Sequence, residues 1–350
     1  MNEDCLKVTT YFGEHDRYEG RYLADAMLDL FEHHALQTSI LLRGTEGFGI
    51  KHRLQTQRIL TLSEDLPLVA IGVDSRARIE PVVEELRGHL RTGLLTVERS
   101  RMLTGRIGSV DLPEDLSEAT KLTIYVGRTE KVYGRPAMTA IVDLLQRQGV
   151  AGATVFLGVD GMVHGLRQRA RFFSRNTDVP LMIISVGTGA TIAEALPKLG
   201  SLLDRPLLTL EPIRVLKRDG ELLARPDHVP SEDEQGLELW QKLMIYAGEQ
   251  ARFVGHPLYV ELVRRLRKAN ASGATSLRGV WGYHGDHPPH GDRLLSLRRH
   301  VPVVTSVIDR PEEIQRLWPI VDQVTAETGL VTSEALPTFR AVAAGVIQPG

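Results

Sequence analysis

One pattern occurs three times along this chain, and an internal repeat constrains architecture before any local propensity does. A strand-like run ending in Tyr-x-Gly stands at 6–13, 122–127 and 243–248, placing Tyr11/Gly13, Tyr125/Gly127 and Tyr246/Gly248 in register. The same offsets, 114 and 121 residues, carry Gly20 onto Gly134 and Gly255, Gly44 onto Gly158 and Gly279, and Gly47 onto Gly161 and Gly282. With a one-residue slip, Leu66-Pro67 meets Val179-Pro180 and Val301-Pro302. Periods this long exceed a solenoid unit and suit whole small domains. The chain therefore divides into a first repeat at 1–104, a connector at 105–118, a second repeat at 119–217, a connector at 218–237 and a third repeat at 238–345. Both connectors are polar, carry Pro and acidic residues, and show no periodicity.

Each repeat reads in one order. After the Tyr-x-Gly strand comes a helix of 3.6-residue period, its apolar face formed by Leu23, Met27, Leu30 and Phe31 in the first copy. Ile141, Leu144 and Leu145 take those places in the second copy, and Leu258, Leu262 and Leu266 in the third. A short strand follows at 38–43, 153–157 or 274–278, then a polar loop. Behind the proline lies a nearly continuous apolar run, 68–73, 181–186 or 303–308, as expected of a strand covered on both faces. A second helix (78–90, 191–203, 312–325) and a last strand (near 94–97, 207–210, 330–332) close the unit. The order β-α-β-β-α-β is that of the split βαβ, ferredoxin-like motif. The expected fold class is α+β: three tandem ferredoxin-like (βαββαβ) domains whose sheets pack against one another.

These landmarks resemble the DUF190 family, a branch of the PII-like superfamily of trimeric signalling proteins. The resemblance is carried by Tyr11-Phe12-Gly13-Glu14, Tyr18-Glu19-Gly20-Arg21, the run from Leu42 to Gly49 and the run from Leu62 to Pro67. It extends over roughly 6–103, 121–216 and 242–340, with the first copy the most complete. The second copy loses the Phe-Gly pair, and the third substitutes a His-rich loop. The resemblance implies PII-like domains forming an intramolecular pseudo-trimer, with ligand clefts between neighbours gated by the long loop that corresponds to the PII T-loop. It also implies a possible membrane-protein partner, an ion transporter of the fluoride-exporter kind, beside which such proteins are often encoded.

The long loops concentrate positive charge beside turn glycines. Arg43, Lys51, Arg53 and Arg58 lie in the first, Arg167, Arg169, Arg171 and Arg175 in the second, and Arg278, Arg293, Arg298 and Arg299 in the third. Arginine suits bidentate phosphate contacts, and glycine lets backbone N–H groups approach an anion. This points to a small anionic ligand, an adenine nucleotide being one candidate, held by Arg43, Gly44, Gly47, Phe48, Gly49, Arg58, Gly158, Arg167, Arg169, Arg278, Gly279, Trp281, Tyr283 and Arg293. Alternatively these charges only keep the loops solvated. No Gly-x-Gly-Lys stretch and no P-loop Gly-Lys-Ser/Thr is present.

In the third loop His284, Asp286, His287, His290 and Asp292 fall within nine residues, a workable set for zinc or another divalent ion and so for a metal-dependent hydrolase. Equally, they could cap turns and orient Trp281 and Tyr283, which, like Phe48, could form a stacking wall for a base. The tyrosines of Tyr-x-Gly read as packing residues, and Arg264-Arg265-x-Arg267-Lys268 as a solvated helix face.

Charge and cysteine content narrow the classes further. Against 42 Lys+Arg stand 44 Asp+Glu, for a formal charge of −2, and no aromatic-laced basic surface is evident, so nucleic acid is not an expected partner. The single cysteine, Cys5, cannot form an internal bridge, which fits a reducing, cytoplasmic setting. The acidic N-terminus lacks a signal-peptide core, and no run of 18 apolar residues offers membrane insertion. The expectation is a non-enzymatic sensor that runs as a monomer, with the metal site and an adaptor role for a partner protein as alternatives.

Overall fold

The computed structural model describes residues 2–49, 55–56, 66–167, 179–227, 229–233, 236–284, 290–291, 301–341 and 347–349. In the first repeat, Asn2–Gly13 runs antiparallel between Pro67–Ser75 and Gly93–Thr104, with Thr38–Arg43 beyond Pro67–Ser75. In the second, Thr120–Gly127 lies between Pro180–Gly187 and Leu207–Pro212, with Gly152–Leu157 outside. The third repeats the order with Leu239–Gly248, Pro302–Asp309, Leu330–Ala341 and Ala274–Arg278. Two helices accompany each set: α1 (Leu23–His33) and α2 (Arg76–His89), α3 (Ala137–Arg147) and α4 (Gly189–Leu202), α5 (Leu258–Lys268) and α6 (Pro311–Val324). The result is a mixed α/β fold built on one large, curled antiparallel sheet. Among the described residues no helix is long and apolar enough to cross a membrane.

The amphipathic pattern explains where the cores sit. Leu23, Met27 and Phe31 of α1, Ile141 and Leu145 of α3, and Leu258, Leu262 and Leu266 of α5 are each buried against their own sheet. The opposite sheet faces meet in a fourth core, where Ile71, Ile184 and Val304 from the three post-proline strands pack with Tyr125 and Tyr246. Coverage on both sides is why those strands read as unbroken apolar runs.

The last strands are far longer than the 94–97 and 330–332 cores read from the sequence, and their extra length joins the repeats. Arg101–Thr104 pair with Leu207–Leu210, Arg214–Arg218 with Leu330–Ser333, and Thr338–Ala341 with Gly93–Thr96. Each last strand thus hands on to the next, and the third returns to the first. Local apolar pattern could not report this extension, because the added residues include charged ones (Glu98, Arg99, Arg101, Glu334), in strands that pair both with their own first strand and with a neighbouring repeat.

Candidate functional site: the seams and the charged axis

A second cyclic set of pairings runs through the bases of the loops. Glu46–Phe48 of the first repeat pairs with Ala274–Ser276 of the third, Asp160–Val163 of the second with Thr38–Leu41 of the first, and Trp281–His284 of the third with Gly152–Val155 of the second. The register is the same at each seam: Gly47 faces Thr275, Gly161 faces Ile40 and Gly282 faces Thr154. Here the repeated glycines have their cause. A Cβ on Gly47 would meet the Ala274 oxygen at 2.7 Å, and one on Gly161 or Gly282 would overlap the oxygen of Ser39 or Ala153.

The preceding glycines are equally committed. Gly44, Gly158 and Gly279 donate their N–H groups to the carbonyls of Pro67, Pro180 and Pro302 at 2.8, 2.9 and 2.8 Å. The next N–H groups, of Thr45, Val159 and Val280, donate across the seams to Ser276, Leu41 and Val155. The N–H groups of Gly44, Gly158 and Gly279, expected as donors to an anion, are here spent on proline carbonyls. Gly47 serves the seam's close approach. Gly49 borders open space.

The residue after each seam glycine enters the neighbour's core. Phe48 is buried with Leu262 and Leu266 of the third repeat, Met162 with Met27 and Phe31 of the first, and Tyr283 with Ile141 and Leu145 of the second. Tyr283 also donates its hydroxyl to the Val150 carbonyl at 2.8 Å. Phe48 and Tyr283, expected as a stacking wall for a base, are thus buried in the neighbouring repeats' cores. Trp281, partly buried, packs on the same second-repeat core. We expect Phe48→Ala to cost about 3–5 kcal/mol by opening a cavity in another repeat's core. Tyr283→Phe should cost only about 1 kcal/mol for one hydrogen bond. Urea unfolding of the two variants measures the difference.

The described loop cations are also engaged. Arg43 pairs with Glu14 at 2.8 Å and Arg278 with Glu249 at 2.9 Å, equivalent contacts in the first and third repeats. Arg167, its side chain 3% exposed, reaches across a seam to Asp29 (2.5 Å) and Glu32 (3.0 Å) of α1 and also holds Asp160 (3.1 Å). It acts as an ionic pin between repeats, with three carboxylates where an anionic ligand was expected. Arg58, Arg169 and Arg293 lie outside the described residues. So do Asp286, His287 and Asp292 of the His-rich loop, while His284 and His290 fall on two facing strand segments. Among the described residues no cluster of three or more His, Cys, Asp or Glu could hold a metal. Cys5 is buried, which first of all pushes its thiol up to about 12 and leaves it a poor nucleophile.

Sequence reading missed the most unusual feature, a buried ring of six charges where the three sheets meet. Lys7 Nζ lies 2.6 Å from Glu98 and 3.0 Å from Glu211. Lys121 Nζ lies 2.6 Å from Glu334, 3.5 Å from Glu211 and 3.6 Å from Glu98. Lys242 Nζ completes the ring, 3.0 Å from Glu98 and 3.2 Å from Glu334. Every member is buried. Burial alone would raise the Glu98 carboxyl, but Lys242, Lys7 and Lys121 reverse that and hold it well below the usual carboxylate range. Burial likewise disfavours the Lys7 ammonium, and Glu211 with Glu98 more than restores it. A signal existed: the three lysines stand at the repeat offsets, each inside the strand that leads to Tyr-x-Gly. Above the ring, Glu98, Glu211 and Glu334 line a cavity of about 210 Å³. Asp233 of the second connector, paired to Arg99 at 2.6 Å, also lines it.

Comparison with known proteins follows the same threefold division. The profile of the DUF190 family, described as "Uncharacterized ACR, COG1993", matches at residues 5–102, 119–215 and 240–338. A UPF0166 protein of Aquifex aeolicus is 32% identical over 93 residues, 26% of this chain and 86% of that protein. A UPF0166 protein of Methanocaldococcus jannaschii is 30% identical over 89 residues, 25% of this chain and 82% of the relative. Both relatives thus correspond to a single repeat. Among solved structures, an aspartate kinase from Synechocystis aligns over 100% of this chain but only 47% of its own, with 11% identity and a TM-score of 0.26, a likeness too low to carry an argument. With three profile matches spanning most of its length, the chain belongs to the DUF190 family.

Proposed function

We propose that this protein is a non-enzymatic, PII-like signalling protein. Its three domains are ferredoxin-like and form an intramolecular pseudo-trimer that binds a small anionic effector, an adenine nucleotide foremost, between domains. One observation supports this reading above others: every long loop is rooted in a seam shared by two repeats. A ligand that orders such a loop acts on two domains at once, which turns occupancy into a change of surface that a partner can read. The long loops also carry Arg58, Arg169 and Arg293, side chains of a type suited to phosphate contacts.

The test is a thermal-shift panel of nucleotides, each with and without divalent metals, on the chelator-stripped chain. A ligand at 100 times its dissociation constant, bound only to the folded state, stabilises by about 2.7 kcal/mol. We expect a nucleotide-specific shift of a few degrees and no phosphate release from the nucleotide. A shift with metal alone would contradict the reading in favour of the His-rich loop as a metal site. Turnover would contradict its non-enzymatic part, and silence across the panel would contradict the effector itself.

A further inference from the structure

The three helices that open the repeats are equivalent in place and length, yet their charges run in steps. With His33 neutral, α1 carries Asp25, Asp29 and Glu32, a net −3. Asp143 and Arg147 leave α3 at zero. Arg264, Arg265, Arg267 and Lys268 against Glu261 give α5 a net +3. All three bury the same face, so the difference lies on the side turned away from the core.

On α1 that side has a known occupant. Asp29 and Glu32 receive the Arg167 guanidinium from the loop of the second repeat. The identical seam register brings the loop base of the first repeat to α5 as the second repeat's loop base comes to α1, since Asp160 faces Leu41 and Glu46 faces Ser276. At α5, however, the place of Asp29 is taken by Arg264 and that of Glu32 by Arg267. A position that accepts a cation in the first repeat has become one that repels it and suits an anion.

We infer that the junction of α5 with residues 46–49 of the first repeat binds a small polyphosphate-bearing ligand through Arg264 and Arg267, with Lys268 beside them. The proposal rests on the effector reading above and assigns the phosphate to one of the three junctions. Arg264 and Arg267 are exposed and three residues apart, so they share a helix face. The stretch from Arg264 to Lys268 spans roughly 6 Å along the axis, a length suited to linked phosphates rather than a lone carboxylate. Guanidinium forks bind phosphate oxygens bidentately. Arg264 gives one contact to Glu261 at 3.0 Å, while Arg265 is held by Glu261 and Gln323 and lies over Phe253. The nearby acids are already occupied or enclosed: Glu261 holds two arginines, Glu249 pairs with Arg278, and Glu46 is buried. On α3 the corresponding Asp143 is paired with Arg135 at 2.8 Å, which leaves that helix no comparable excess of positive charge.

Calorimetric titration of the full chain with inorganic pyrophosphate at low salt tests this directly. We expect one site per chain. Arg264→Glu with Arg267→Glu should weaken it roughly 100-fold, as two lost charge-assisted contacts imply. The double lysine variant, R264K/R267K, should lose only a few-fold and guards against a folding artefact. Gln146→Glu with Arg147→Glu on α3 is the control and should change affinity less than about twofold. Unaltered pyrophosphate binding in R264E/R267E would overturn the assignment to α5 while leaving the effector reading intact. An equal loss in the α3 control would overturn it too, by showing a general charge effect. Absence of pyrophosphate binding to the wild type would overturn it even if a nucleotide still stabilised the protein in the panel.

Discussion

Lys121→Ala lowers the free energy of unfolding by about 3–5 kcal/mol, the loss typical of removing one partner from a buried ion network. Lys121 is nearly inaccessible and stands within 3.6 Å of carboxylates from all three repeats, Glu98, Glu211 and Glu334. Its removal leaves three buried carboxylates with two ammoniums, and the remaining charge is stranded in a site that water reaches poorly. The pH dependence carries a sign. Glu98 and Glu211 are held below their ordinary values in the folded state, so they contribute stability above the unfolded carboxylate range, and that contribution is lost as pH falls through and below it. Lys7 and Lys242 are raised, so their contribution persists at neutral pH and is lost only in strong alkali. In Lys121→Ala the two glutamates lose a partner, and the acid flank of the stability curve moves to higher pH. Urea midpoints measured from pH 3 to 8 on wild type and variant check both the depth and the shift. An unchanged flank would contradict the network as drawn.

Gly161→Ala is expected to cost on the order of 3–5 kcal/mol, combining an overlap in a packed seam with an unfavourable backbone angle. Gly161 sits at φ 144°, and a Cβ there would overlap the Ser39 oxygen and lie 2.8 Å from Pro180 Cγ. The contrast is Gly20→Ala. Gly20 has φ 82° but open space around it, so only the backbone term of about 1 kcal/mol applies. Chemical denaturation of the pair separates seam packing from turn conformation. Equal costs would mean that Gly161 is merely a turn glycine.

These two sites also show how far the sequence could be read. Tyr-x-Gly and the post-proline strands were legible because each repeat needs them for its own sheet, and the paired glycines because their offsets survive divergence. The function of Gly44 and Gly47 was not legible, since a glycine that admits a neighbouring strand and one that admits a phosphate look alike in a loop. Phe48, Met162 and Tyr283 occupy one structural position with three different side chains, so no landmark linked them before the seam register did. Lys7, Lys121 and Lys242 were readable in principle, but a lysine inside a strand has meaning only once the other repeats' glutamates are placed beside it. Arg167 was singled out as a ligand-binding cation from its place in the loop, whereas two of its three carboxylate partners come from α1, 138 and 135 residues earlier.

The central claim is that one chain closes the ring its repeats form, the last strands joining first to second to third and back, and the loop bases joining first to third, third to second and second to first. Sedimentation equilibrium across a hundredfold concentration range tests it most directly. Intramolecular effective concentration should outcompete exchange between chains. The account predicts a single species at the mass of one chain, 38.9 kDa. An obligate trimer of chains, or a mass that rises with concentration as repeats pair between molecules, would contradict it.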